Sequence, residues 1–398
     1  MNKKKIMIMG AGIYQVPLIK KAKEMGLETL VVSVAGKYPG IPLADHFYEV
    51  DTRDKEAVLT IAMQEKIAAI CTSGTDVAVK TIGYVNEKMG LTGISYQAAC
   101  LVTDKADMKS AFRTYGVSTA AFERVSHESD AAAAAEKIGY PVMVKAVDSS
   151  GSRGIKKVKN EQELIAAYAE AKKVTRKDYI LIEEYIDACE IGVDGYVGDG
   201  KIEIVLPHTK YTYSVDGVTI PSGHSFPYEA DTKLQTEIEK QITLAAQAMG
   251  LRNCPFNADV FVKGDKVWII EMGGRTGATC IPELISIYEG YDWYEKIIHA
   301  ALGETMDFPK GEKTPCMAKL LFSDVNGRIA ELDENILSKV KEQNMIVHLD
   351  YKVGDHVDAV HNGTDRIGHI IMTKAAESDM DENIQRIMKA IKIKKDEN

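Results

Sequence analysis

Val142-Met143-Val144-Lys145-Ala146-Val147-Asp148-Ser149-Ser150-Gly151-Ser152-Arg153-Gly154-Ile155 is the stretch from which the rest of the chain can be read. A β-branched apolar run ends in Lys145, a loop of small residues follows, and Gly154-Ile155 begins another extended run. A lysine at a strand end beside such a loop suits a polyphosphate, because backbone N–H groups can close over phosphates where few side chains intrude. The order is not that of a Walker loop, in which the lysine follows the glycines. The same residues also describe a Gly/Ser hairpin turn with an exposed lysine. Alone, the stretch leaves both readings open.

At 398 residues the chain has room for roughly two to three domains. With 45% hydrophobic and 27% charged residues it falls outside the disordered and fibrous classes. A net charge of −9 gives no electrostatic footprint for nucleic acid, so no nucleic-acid partner is expected. The basic clusters Lys3-Lys4-Lys5 and Lys392-Ile393-Lys394-Lys395 read as solvated tails. No apolar run approaches the roughly 20 residues of a membrane helix, and Ile6–Gly10 is too short for a signal-peptide core. The six cysteines are scattered with no C-x-x-C pair, which fits reduced thiols and a cytoplasmic location.

The chain opens as βαβ: a strand at 5–9, the turn Gly10-Ala11-Gly12, a helix at about 15–25 and a strand at 27–33. Gly10-x-Gly12 resembles half of a dinucleotide fingerprint, but Gln15 stands where the third glycine belongs, and no acidic residue ends the second strand. Strands at 47–50 and 68–72 alternate with helices at 54–65 and 76–89, with Asp54, Asp76 and Asp104 as expected N-caps. This is an open, mostly parallel α/β domain. Beyond it come a helix from Lys105, the opening stretch, a helix at 161–174 and the strand 179–186. Residues 191–207 read as an antiparallel pair and 208–229 as a long functional loop. A helix at 232–249 precedes the hairpin 257–262/266–272, then the turn Gly273-Gly274-Arg275-Thr276-Gly277.

Asp259 and Glu271 lie on the two strands of that hairpin, among apolar neighbours. A carboxylate so placed is costly unless paired or metal-bound. Two facing carboxylates suit Mg²⁺, which keeps water and phosphate oxygens in the rest of its shell; two edge-strand acids facing solvent would leave the same sequence. Arg275 can hold a carboxylate or phosphoryl oxygen in its fork. Lys105 and Lys145 can supply positive charge for a nucleotide, though Lys105 taken alone reads as an exposed first-turn helix residue; Glu183-Glu184-Tyr185-Ile186 ends a strand that can present backbone groups and a carboxylate to a purine.

In this order the motifs resemble the ATP-grasp superfamily, of carboxylate–amine ligase type, with an architecture like biotin carboxylase and the large chain of carbamoyl-phosphate synthase. The resemblance implies an α/β protein of three parts: a Rossmann-like domain (1–102), an ATP-grasp domain of two α+β subdomains clamping ATP (103–308), and a small C-terminal α+β domain (309–398). It implies that Lys105 and Lys145 contact ATP phosphates and that Ser149, Ser150, Gly151, Ser152 and Gly154 belong to a lid loop. Glu183, Tyr185 and Ile186 would line the adenine pocket, with Glu190 on the ribose. Asp259 and Glu271 would bind Mg²⁺ (or Mn²⁺), and Arg275 would be catalytic or substrate-positioning. Gly273 departs from the pattern, which commonly has Asn there as a third metal ligand, and Asp259 stands where Glu is common.

The implied reaction is activation of a small carboxylate, an amino acid or peptide, as an acylphosphate, followed by attack of an amine and release of ADP and phosphate. The partners are then a small-molecule carboxylate and an amine, with a homodimer by analogy. His224, in the expected loop, is the candidate for contacting substrate or removing a proton from the amine; a loop histidine bonded to backbone is the plainer alternative. A bicarbonate-using carboxylase or purine-pathway enzyme of the same superfamily is a second reading. A catalytically weak nucleotide-binding regulator is a third.

Overall fold

A computed structural model describes residues 3–148, 154–215, 218–341, 345–361, 363–374 and 377–396. The chain first runs β1 (Lys5–Met9), α1 (Val16–Glu24), β2 (Glu28–Ser33), β3 (His46–Glu49), α2 (Lys55–Glu65), β4 (Ala69–Cys71), α3 (Val79–Met89) and α4 (Tyr96–Leu101). It continues with α5 (Lys105–Tyr115), β5 (Phe122–Val125), α6 (Glu128–Ile138), β6 (Val142–Lys145), β7 (Ile155–Val158), α7 (Glu161–Val174), β8 (Ile180–Glu184) and β9 (Cys189–Val197). Next come β10 (Ile202–Val215), β11 (Val218–Phe226), α8 (Thr232–Met249), β12 (Cys254–Lys263), β13 (Lys266–Gly273), α9 (Ile281–Glu289) and α10 (Trp293–Ala301). The last elements are β14 (Cys316–Phe322), β15 (Gly327–Leu332), α11 (Glu334–Lys341), β16 (Met345–Leu349), β17 (His356–Val357), β18 (Arg366–Thr373), α12 (Glu377–Ala390) and β19 (Ile391–Lys395).

Two compact units divide the chain: residues 1–207, 229–278 and 294–308 form one, and 208–228, 279–293 and 309–398 the other. The second unit therefore takes up two segments that lie ahead of residue 309 in the sequence.

In the first unit β3-β2-β1-β4 form a parallel sheet. Its central strand is apolar from Ile6 to Met9 because both faces are covered, as parallel sheets require. Gln15 fills the space behind the first turn: its Oε1 accepts the Gly12 N–H at 2.9 Å and its Nε2 donates to the Ser73 carbonyl at 2.6 Å. The Gly12 N–H is thus engaged by Gln15, which stands where a dinucleotide fingerprint would have a third glycine.

A second sheet, β5-β8-β6-β7, is antiparallel, and the opening stretch of the sequence is its β6–β7 hairpin. Val142, Val144, Val158, Ile180 and Ile182 turn inward onto α6 and α7. Each aliphatic side chain so buried contributes about 1.5–3 kcal/mol. A third sheet orders β13-β12-β9 beside the start of β10. On β12, buried Cys254, Phe256, Ala258, Val260 and Val262 alternate with half-buried Asn257, Asp259 and Phe261. The period of two puts the polar residues of this strand on one face.

In the second unit the end of β10 pairs with β11, followed in order by β14, β18 and β16. Residues 208–229 are thus mostly the arms of a β-hairpin, which corrects the long loop expected from the sequence. Thr and Tyr favour strands, and Pro221 is accommodated at a bulge opposite Tyr211 and Thr212. Strands β17-β15-β19 make a small antiparallel sheet. The core gathers Met317, Leu321, Ile329, Ile367, Ile370, Met380 and Ile387. No helix of the described residues is long and apolar enough to cross a membrane.

Candidate active site

Asp104 caps α5, accepting the N–H groups of Ala106 and Asp107, and its second oxygen receives the Tyr179 hydroxyl at 2.7 Å and Lys177 at 3.1 Å. Those contacts fix the first turn, from which Lys105 projects. Its Nζ lies 2.6 Å from Glu271 Oε2 on β13. Burial is the largest influence and works against the Lys105 charge, but Glu271, with Asp76 and Glu183, holds the pKa above the ordinary lysine value. Glu271 stands directly opposite Asp259 in the β12–β13 ladder, just before a register shift that adds Ile270 on β13. The two carboxylates share the half-buried face expected of them. Among the described residues no cluster of three or more His, Cys, Asp or Glu forms a metal cage. Two oxygen donors at one edge fit Mg²⁺, an ion that binds through one or two carboxylates and keeps other positions for water and phosphate.

The residue across from Gly273 is Asn257. A side chain at 273 would begin 3.1 Å from Asp76 Oδ1, so any larger residue there would press on Asp76. Arg275 forms a two-point pair with Asp76, Nε to Oδ1 at 2.9 Å and Nη2 to Oδ2 at 2.7 Å, while Nη1 donates to Asn257 Oδ1 at 3.1 Å. Burial is the largest influence on Arg275 and disfavours its charge; Asp76, with Asp194 and Glu271, more than compensates. Asp76 does not cap α3, contrary to expectation: Ala78 is the N-cap and makes no side-chain bond. Behind the turn, fully buried Asp194 accepts the Gly277 N–H at 2.8 Å and Asn257 Nδ2 at 2.7 Å. The Gly74 N–H reaches the Thr276 carbonyl at 3.3 Å.

Lys145, at the end of β6, donates to Glu183 Oε2 at 2.7 Å. The buried Lys109, one turn beyond Lys105 on α5, lies 3.3 Å from the same oxygen. Burial disfavours the Glu183 charge, yet Lys109 and Lys145 hold its pKa below the usual carboxylate value. Gly154 closes the base of the opening loop, its carbonyl accepting the Ala146 N–H at 2.9 Å. Its φ is +69°, and a Cβ there would sit 3.0 Å from Ala146 and Val174, which makes glycine the fitting residue. Ser149, Ser150, Gly151 and Ser152 lie outside the described residues. Tyr185 follows β8 with Lys157 Nζ 3.4 Å from its ring centroid, Ile186 is half-buried beside it, and Glu190 pairs with Phe261 in the β9–β12 ladder.

One unit thus holds Lys105, Lys145, Gly154, Glu183, Tyr185, Ile186, Glu190, Asp259, Glu271 and Arg275. His224 belongs to the other. It is buried on β11 with its ring edge-on to His208 at 4.8 Å, and His208 in turn lies 4.9 Å from Phe226. Burial, then His208 and Lys210, push its pKa well below the ordinary value, so the ring is neutral at pH 7. Sequence reasoning missed Asp76, Lys109, Asp194 and Asn257. Only Asp194 and Asn257 carried a signal, as polar residues inside otherwise apolar strand patterns.

Residues 138–283 match the family described as ATP-grasp domain, and residues 320–395 match L-amino acid ligase C-terminal domain 2. The formate-dependent phosphoribosylglycinamide formyltransferase of Thermococcus kodakarensis is 27% identical over 310 residues, covering 75% of this chain and 71% of that protein. A crystal structure of phosphoribosylglycinamide synthetase from Anaerococcus prevotii superposes with a TM-score of 0.83 at 28% identity, covering 99% of this chain and all of that one. An L-amino acid ligase from Bacillus licheniformis shares the fold, with a TM-score of 0.81 at 18% identity over the full length of both chains. The chain carries an ATP-grasp domain and an L-amino acid ligase C-terminal domain, and its relatives group with the ATP-grasp carboxylate–amine ligases.

Proposed function

We propose that this chain activates a small carboxylate, an amino acid or a peptide, as an acylphosphate and joins it to an amine, converting ATP to ADP and phosphate. The observation that carries this reading is the 2.6 Å contact of Lys105 with Glu271, which joins a phosphate-side cation to the carboxylate pair suited to a metal. A carboxylate oxygen attacks the γ-phosphorus, the bond to the β,γ-bridging oxygen breaks, and ADP leaves. The amine nitrogen then attacks the acyl carbon, expels phosphate and loses a proton. Such transfer depends on positioning and charge neutralisation more than on covalent help from the protein. Lys105 and Lys145 supply the positive charge, Glu183, Tyr185 and Ile186 line the adenine side, and Glu190 meets the ribose. Gly154 closes the base of the loop expected over the phosphates. Asp259 and Glu271 would hold Mg²⁺, which when bound neutralises charge between the β- and γ-phosphoryl oxygens. Arg275, held square by Asp76 and Asn257, orients the carboxylate or the transferring phosphoryl group.

The amino-acid choice draws support from residues 320–395 and their match to the L-amino acid ligase C-terminal domain. A second reading takes formate as the carboxylate and a phosphoribosyl glycinamide as the amine, supported by the relatives that align over three quarters of the chain. A screen of paired amino acids, with formate and bicarbonate as alternatives, separates them by ADP release and product mass. Amino-acid-stimulated release with a dipeptide product is expected. Stimulation by formate alone would favour the second reading, and ATP binding with no stimulation by any carboxylate would remove the ligase assignment.

A further inference from the structure

We propose that Lys109 is a positioning residue for the nucleotide: it keeps Glu183 charged and in place so that Lys145 can leave that carboxylate for a phosphate. This rests on the reading that Lys145 meets ATP phosphates. Both lysines address one oxygen, Glu183 Oε2, at 2.7 Å from Lys145 and 3.3 Å from Lys109. Glu183 is 2% exposed, and a carboxylate so buried must keep a counter-charge. If Lys145 were its sole partner, each turn of Lys145 toward a phosphate would strand the Glu183 charge.

Lys109 cannot make that turn itself. It is 2% exposed, and its ammonium also donates to Thr119 Oγ1 at 2.6 Å. Thr119 in turn donates to the Ile269 carbonyl on β13 at 2.7 Å. Lys145 keeps 11% of its side chain exposed and is the member of the pair with an outlet. The charged groups around Lys109 are Glu183 on β8, Lys145 on β6 and, less strongly, Glu271 on β13. Burial outweighs the attraction of Glu183 and, with repulsion from Lys145, brings Lys109 down to about 8. Two ammonium groups on one carboxylate leave a surplus positive charge that a phosphate would complement.

Calorimetric titration of the full chain with Mg²⁺ and ADP tests this in wild type, Lys109→Met, Glu183→Gln and the double variant. Lys109→Met is expected to weaken ADP binding about tenfold or more, because Glu183 then retains Lys145. In the Glu183→Gln background the same substitution is expected to cost less than about twofold, since an amide needs no counter-charge. An equal loss in both backgrounds, or no loss in wild type, overturns the proposal. If Lys109→Met does not fold, Lys109→Arg decides through its pH profile. Wild-type affinity should fall above pH 8, by up to about tenfold per unit, while the arginine variant stays flat; parallel profiles overturn the proposal. Lys145→Met separates the two levels: unchanged ADP binding in that variant removes the phosphate assignment itself, and the proposal with it.

Discussion

Arg275 and Asp76 meet in a two-point ion pair across 199 positions of sequence, Nη2 to Oδ2 at 2.7 Å. The pair ties the glycine-rich turn after β13 to the loop that follows β4, and it sets the plane of the guanidinium. Asp76→Asn keeps the shape and removes the charge. It is expected to destabilise the protein by about 1 kcal/mol, because the arginine loses a charged partner that is itself partly exposed to solvent, and to lower kcat more than it raises KM. Thermal melting and steady-state ADP release check both. Arg275→Lys, which keeps charge without the fork, is expected to lose roughly a hundredfold in kcat while melting within a few degrees of wild type.

The carboxylate pair on β12 and β13 carries the metal assignment. Glu271→Ala is expected to abolish turnover, and Asp259→Asn to raise the Mg²⁺ concentration needed for half-maximal rate by about tenfold or more. A magnesium titration of ADP release distinguishes these effects from general loss of fold. Near-normal activity in Glu271→Ala would move the metal elsewhere.

His369 on β18 gives the second unit a defined acid sensitivity. Burial, then Arg366 and His348, lower its pKa to about 3 from 6.5. The unfolded chain therefore binds a proton between those values that the folded chain refuses. Stability from this group is complete above pH 6.5 and is lost as pH falls toward 3. His369→Gln is expected to flatten the fall in urea midpoint between pH 7 and pH 4.5 relative to wild type, whatever its effect at pH 7.

Much of this fold is legible from periodicity and punctuation. Glu161–Val174 and Thr232–Met249 are bounded where the Asn160 and Asp231 caps and Gly250 place them. The 208–229 segment is not, because Pro221 sits at a bulge and Gly223 lies close against β14, and neither marks a loop. The site divides in the same way. The facing of Asp259 and Glu271 follows from strand alternation, whereas the roles of Lys105 and Glu183 are legible only through the family resemblance. Those of Asp76 and Lys109 are not legible, because each acts through a partner far along the chain. Asp76 resembles an ordinary helix cap, and Lys109 an exposed helix lysine, until Arg275 and Glu183 are brought against them. Gly273 reads as a missing ligand in sequence and as room for Asp76 in the structure.

The central claim is that a carboxylate is phosphorylated before the amine attacks. The amino acid that stimulates ADP release, labelled with ¹⁸O in its carboxylate, tests it directly. The oxygen that accepts the phosphoryl group leaves with it, so mass spectrometry of the released phosphate should show one ¹⁸O per turnover. Label that stays in the amide product and free carboxylate, with unlabelled phosphate, would contradict the acylphosphate account.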